Sequence, residues 1–181
     1  MVIRDATEAD AEAIAAIYAH HVLTGTASYD TEPPPPEFHR DKVRSVRDAG
    51  WPFLVAEDEG EVAGYAYATQ MRPRAAYRFT AEDSIYVDAR RTGGGIGRRL
   101  LEALLEQSAC KGFRTIVAVI GGAEPASIGL HLALGFTEVG RLRRVGFKFG
   151  RWLDSVYMQR DLCEFSPPKS PNSEGIWPGD Q

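Results

Sequence analysis

Hydrophobic positions recur along the chain at two spacings, one that suits strands and one that suits helices. Val2 to Arg4 read as a short first strand, and Thr7 with Asp10 three residues on is a variant capping box opening a helix with Ile14, Ile17 and Tyr18 on its apolar stripe. The Pro-rich stretch TEPPPPEF at 31 to 38 turns the chain into a more polar helix over 37 to 50, closed by Gly50. A hairpin follows, with strands at 53 to 57 and 62 to 70 around an acidic turn through Gly60. EDSIYVDA is a further strand, and GIGRRLLEALLEQSACKG is a helix with Leu100, Leu101, Leu104 and Leu105 toward the core and Gly112 at its end. TIVAVIG is an apolar run too short for a helix, and PASIGLHLALG is a short helix with Pro125 in its first turn and Gly135 at its close. FTEVGRLRRVGFKFG and LDSVYMQRDL complete the pattern as strands, so the expected order is β-α-α-β-β-β-α-β-α-β-β. That alternation belongs to an α/β fold.

With 181 residues, 44% of them hydrophobic, the chain is long enough for one sizeable core. We expect one domain over 1–163 and a tail over 164–181, where FSPPKSPNSEGIWPGDQ offers Trp177 as its only anchor. A net charge of -4 gives no basic footprint for nucleic acid. The two cysteines, Cys110 and Cys163, and the histidines His20, His21 and His39 fall in no metal-ligand spacing. No signal-peptide pattern or membrane-length apolar run is present, which leads us to expect a cytoplasmic location.

The stretch ARRTGGGIGRRL at 89 to 100 matches neither the GxGxxG dinucleotide fingerprint nor a P-loop. Backbone N–H groups at Gly93, Gly95 and Gly97 and at the following helix start could converge on an anion, with Arg98 and Arg99 at the rim. An ordinary turn fits the same residues.

Several segments together resemble the GNAT N-acetyltransferases, and within them the group acting on phosphinothricin, methionine sulfone and methionine sulfoximine. They are IRDATEADAEAIAAIY, LTGTASYDTEPP, MRPRAAYRFTAEDSIYV, GGGIGRRLLEALL, ASIGLHLALGFTEVG and GFKFGRWLDSVYMQRDL, spanning residues 2 to 162. The resemblance implies a mixed central sheet whose fourth and fifth strands splay apart to leave a groove for acetyl-CoA. It implies that Ile85, Tyr86 and Val87 bond the pantetheine through backbone groups, and that Gly93, Gly94, Gly95, Ile96, Gly97 and Arg98 hold the pyrophosphate. Two positions depart from the family pattern. Thr92 stands where Gln or Arg is usual, and Glu124 stands where Asn is usual; Glu124 is a poorer helix cap but remains a backbone contact candidate for the cofactor. Ser127 either bonds the cofactor or serves its own helix end.

The implied reaction is attack of an amine on the thioester, which needs a group to take the ammonium proton. The resemblance assigns that role to Glu82, with orientation of the ammonium as the alternative; Asp83 is its neighbour and points to the opposite face of the strand. His131 is either a core-edge residue or a participant at the thioester, and Tyr157 is a weaker candidate for protonating the thiolate. Acyl transfer requires no metal. A substrate carboxylate calls for guanidinium recognition, which Arg72, Arg74 and Arg78 offer around Tyr77, and Tyr29 could wall the side-chain pocket. The resemblance also implies a homodimer, for which Phe147, Phe149 and Trp152 are candidate anchors unless they complete the core of one chain. The expected partners are thus a small amino-acid-like substrate and a second copy, not nucleic acid or membrane. Acetylation of another amine, such as a peptide N-terminus or polyamine, and a noncatalytic acyl-CoA-binding module are the alternatives.

Overall fold

A computed structural model describes residues 1–163; the expected tail and Trp177 lie outside the described residues. In chain order the elements are β1 (Val2–Asp5), α1 (Ala11–Thr24), α2 (Pro36–Asp48), β2 (Phe53–Asp58), β3 (Glu61–Gln70), β4 (Thr80–Val87), α3 (Ile96–Cys110), β5 (Thr115–Gly121), α4 (Pro125–Ala133), β6 (Thr137–Lys148) and β7 (Arg151–Asp161). Short 3-10 turns precede α1 and flank β4. The expected order holds throughout, and the capping box is formed, with Thr7 donating its N–H to Asp10 Oδ2 at 2.7 Å.

The strands form one sheet in the order β1-β2-β3-β4-β5-β7-β6, antiparallel except where β4 and β5 run parallel. Period-two alternation gives it two apolar faces. Leu54, Ala66, Ala81, Ile116 and Ala118 pack with Leu100, Leu101 and Leu104 of α3 in one core. Phe53, Val55 and Tyr65 pack on the other side with Ile14 and Ile17 of α1 and Val43 and Val46 of α2. Because Leu100, Leu101 and Leu104 are wholly buried, truncating any of them to Ala would cost about 2–5 kcal/mol.

The parallel pairing between β4 and β5 runs from Thr80↔Thr115 to Asp83↔Ala118. Beyond it, β4 stays paired to β3 as far as Val87↔Gly64, and β5 stays paired to β7 as far as Gly121↔Ser155. The two central strands therefore diverge after Asp83, leaving a fork in the middle of the sheet.

β6 is exposed along most of its length, and Phe147, Phe149 and Trp152 are 59%, 56% and 62% exposed. They lie outside the core of the single chain, which removes the alternative that they complete it.

Candidate active site

A small cavity of about 60 Å³ occupies the fork, bordered by Asp83, Ser84 and Ile85 on β4, Val119 and Ile120 on β5, and His131 on α4. The backbone facing it follows from the ladder. Met71 donates its N–H to the Thr80 carbonyl and Asp88 donates its N–H to the Ala63 carbonyl. With an unbroken register between these points, antiparallel alternation assigns Glu82, Ser84 and Tyr86 to β3 and turns the N–H and C=O of Ile85 and Val87 toward the fork. Of the three expected pantetheine contacts, Tyr86 is thus corrected: its backbone groups are engaged opposite Tyr65. The Val87 carbonyl also has a partner, since His21 Nε2 lies 2.8 Å from it. A ligand in the fork would meet the free groups of Ile85 and the N–H of Val87.

At the open end of the fork, Gly93 and Gly95 have φ of +83° and +78°. Gly95 caps α3, whose first turn holds no acidic side chain. The first intrahelical bond there is Arg99 N–H to the Gly95 carbonyl, which leaves the Ile96, Gly97 and Arg98 amides without helical partners. Unpaired amides at the positive end of a helix dipole are a geometry suited to an anion. The surrounding arginines are less available than their number suggests. Arg90 is bonded to Asp88 at 2.6 Å, Arg91 to Asp58 and Glu61 at 3.1 and 2.8 Å, and Arg98 to Glu102 at 2.9 Å. Thr92 Oγ1 donates to the Ala89 carbonyl at 3.4 Å. The carboxylates thus hold most of the guanidinium groups near the glycine loop.

Glu124 caps α4 through backbone only, its carbonyl accepting from Ile128 N–H at 3.0 Å. Ser127 borders the cavity, and its carbonyl accepts from His131 Nδ1 at 2.7 Å.

The two expected catalytic residues lie on opposite faces of β4. Glu82 is half-buried on the α1/α2 side, with Arg72 Nη1 3.7 Å from its Oε2. Burial pushes its carboxyl above the ordinary range and Asp83 adds to that, while Arg72 and Lys42 oppose it. Lys42, which sits 5.1 Å over the Tyr67 ring, was not singled out in the sequence. His131 lies on the α3/α4 side, buried, with Nε2 3.1 Å from Asp83 Oδ2. Its partner is therefore Asp83, the carboxylate set aside in the sequence as the neighbour of Glu82. Tyr157 faces Val119 across the β5–β7 pair.

In the 71–79 segment, Arg72 is the arginine whose Nη1 lies 3.7 Å from Glu82 Oε2. Arg78 bonds the Ala75 carbonyl and stacks over Phe79 at 4.6 Å, Arg74 caps the 3-10 turn through its backbone, and Tyr77 is exposed. The Tyr29 hydroxyl is committed: it donates to the Asp154 carbonyl at 2.8 Å and accepts from Ser155 Oγ and the Gly122 N–H at 3.0 and 3.3 Å. Only its ring remains to wall a pocket. That ring sits so close to Gly146 that a Cβ there would lie 2.8 Å from Cε2. Lys148, unremarked in the sequence, fixes the same loop by donating from a buried amine to the Gly25 and Ser28 carbonyls at 3.1 and 2.8 Å.

A family model described as an acetyltransferase (GNAT) domain matches residues 3–157. The chain belongs to the GNAT acetyltransferase family. Among the relatives of this GNAT chain, a phosphinothricin N-acetyltransferase of Alcaligenes faecalis is 51% identical over 163 residues, covering 88% of this chain and 82% of its own. An L-methionine sulfoximine/L-methionine sulfone acetyltransferase of Salmonella typhimurium is 39% identical over 168 residues, covering 93% of this chain and 98% of its own. The solved structure of a GNAT superfamily phosphinothricin acetyltransferase from Sinorhizobium meliloti in complex with AcCoA superposes with a TM-score of 0.90 at 46% identity, covering 98% of this chain and 95% of that one. The forked sheet and glycine loop are thus features of a GNAT enzyme.

Proposed function

We propose that this protein transfers an acetyl group from acetyl-CoA to the α-amino group of a small amino acid or analogue of the phosphinothricin, methionine sulfone and methionine sulfoximine type. The observation that carries the reading is the fork itself. The N–H and C=O of Ile85 and the N–H of Val87 face it, the amide-rich start of α3 stands at its mouth, and half-buried Glu82 lies on the opposite face of β4 from His131. The named activities of the A. faecalis and S. typhimurium relatives support the substrate class.

Acetyl-CoA, when bound, supplies the electrophilic thioester carbonyl. Gly93 to Arg98 would hold its pyrophosphate through backbone N–H groups, and Ile85 and Val87 its pantetheine arm. The amine enters from the α1/α2 side, where Glu82 accepts its proton. Burial suits Glu82 to that task, since a carboxyl pushed upward is a stronger proton acceptor once ionised. The proximity of Arg72 to Glu82 supports Arg72, among the candidates Arg72, Arg74 and Arg78, as a partner for a substrate carboxylate. The exposed Phe147, Phe149 and Trp152 support association of two copies through the β6–β7 hairpin. Among the described residues no helix is long and apolar enough to cross a membrane, and we retain the cytoplasm as the expected location.

A panel assay with acetyl-CoA tests the activity, scored by free thiol and product mass. Phosphinothricin, methionine sulfone and methionine sulfoximine are expected to outperform common L-amino acids, peptides and polyamines. Turnover confined to peptides or polyamines would replace the substrate reading, and acyl-CoA binding without turnover of any amine would replace the enzyme reading.

A further inference from the structure

His131 is enclosed by hydrogen-bond acceptors. Its Nδ1 is 2.7 Å from the Ser127 carbonyl, an atom that can only accept, so Nδ1 carries a hydrogen. Its Nε2 is 3.1 Å from Asp83 Oδ2, and both side chains are only 2% exposed. The Phe136 ring packs edge-on at 4.8 Å and offers no proton. Asp83 Oδ1 is buried and has no partner among the described residues, and Asp83 borders the fork cavity together with His131. A hydrogen bond between Asp83 and His131 needs one further proton, carried on either Oδ2 or Nε2.

We propose that Asp83 is a positioning residue that keeps His131 a doubly protonated imidazolium at the fork, so that His131 contributes a fixed positive charge there and does not act as the proton-accepting base. The proposal rests on the acetyl-transfer reading for its catalytic consequence, but not for the charge state itself. Burial of the ring works against its charge, yet the bond and charge of Asp83 and the Ser127 carbonyl outweigh it and hold the ring's pKa above the ordinary histidine value. A cation fixed beside the fork favours the negative charge that develops when a thioester is attacked, and being held by two bonds it needs no reorganisation. It also divides the labour between the faces of β4: Glu82 takes the proton on one side, and Asp83 with His131 supplies charge on the other. Asp83 Oδ1 is left to accept a hydrogen bond from a donor entering the fork.

The test is nitrogen-15 NMR of the full chain labelled at histidine, near neutral pH, with the His131 signals assigned by their loss in His131→Gln. Wild type is expected to show protons on both ring nitrogens of His131, and Asp83→Asn to show one bare nitrogen. A bare Nε2 in the wild-type protein shows a neutral His131 and overturns the proposal. In parallel, Asp83→Asn and His131→Gln should each lower kcat at least about tenfold. KM for the amino acid should change little in either variant, and the double variant should be no worse than the more damaged single one. Wild-type kcat in a folded Asp83→Asn variant also overturns it. If the wild-type enzyme acetylates nothing in the panel, the functional reading fails while the NMR result still decides the charge state.

Discussion

Glu82 and Asp83 are adjacent in sequence and serve opposite faces of the sheet: Glu82 has Arg72 at 3.7 Å, and Asp83 has His131 at 3.1 Å. The period of a strand forces this separation. Their variants should therefore fail differently. Glu82→Gln is expected to keep acetyl-CoA affinity, measured by calorimetry, while kcat falls by about 10²-fold or more. If Glu82 only orients the ammonium, the loss will appear mainly in the amino-acid KM.

Burial of Glu82 also fixes the sign of a pH effect. A carboxyl whose pKa is raised on folding binds its proton more tightly in the folded state, so its contribution to stability is present at low pH and is lost as pH rises through the folded-state pKa. Near neutral pH the ionised form is the disfavoured one. Glu82→Gln is therefore expected to unfold at a temperature equal to or above that of wild type at neutral pH while losing activity. The acid limb of kcat/KM in the wild type should lie above the ordinary glutamate range. A limb at the ordinary value, or a Glu82→Gln variant less stable than wild type, would contradict the burial argument.

The glycine loop separates binding from folding at Gly94. Unlike Gly93 and Gly95, it has no positive φ, and a Cβ there would come no closer than 3.9 Å, to the Arg91 carbonyl. Gly94→Val should leave the melting temperature nearly unchanged and weaken acetyl-CoA at least about tenfold, equivalent to about 1.4 kcal/mol. Gly95→Val should weaken it too, but with a stability cost of about 1–2 kcal/mol for the left-handed backbone. Unchanged affinity in Gly94→Val would remove the loop from the anion site.

Lys148 should act on the amino-acid side alone. Lys148→Met strands the Gly25 and Ser28 carbonyls, which costs about 1–3 kcal/mol, and frees the loop that carries Tyr29. Steady-state kinetics should show a raised amino-acid KM with little change in acetyl-CoA affinity. Gly146→Ala, which drives a Cβ into the Tyr29 ring, should give the same pattern. Equal losses for both substrates would place the damage in the fold.

Element order and boundaries were legible in the sequence because each segment satisfies one period and ends at its own breaker, as Gly112 and Gly135 do after α3 and α4. The fork was expected only through family resemblance. Nothing in TAEDSIYV or TIVAVIG says that pairing stops at Asp83↔Ala118, since both runs are continuous strands. Glu82 and Asp83 were correctly split by alternation, but the bond from Asp83 to His131 joins residues 48 positions apart and leaves no local trace. Lys148 reads as one more cation in GFKFGRW until the fold buries it. The arginines near the glycines show the converse: composition counts their charges, whereas Asp88, Asp58, Glu61 and Glu102 determine where they are spent.

The most direct measurement is mass spectrometry of the product formed from acetyl-CoA and L-phosphinothricin or L-methionine sulfone by the purified full chain, with fragmentation to locate the added group. A single acetyl on the α-nitrogen, formed with one equivalent of free CoA thiol and largely abolished in Glu82→Gln, is the predicted result. Thiol release without an N-acetylated product, or the same product at the wild-type rate from Glu82→Gln, would contradict acetyl transfer through this site.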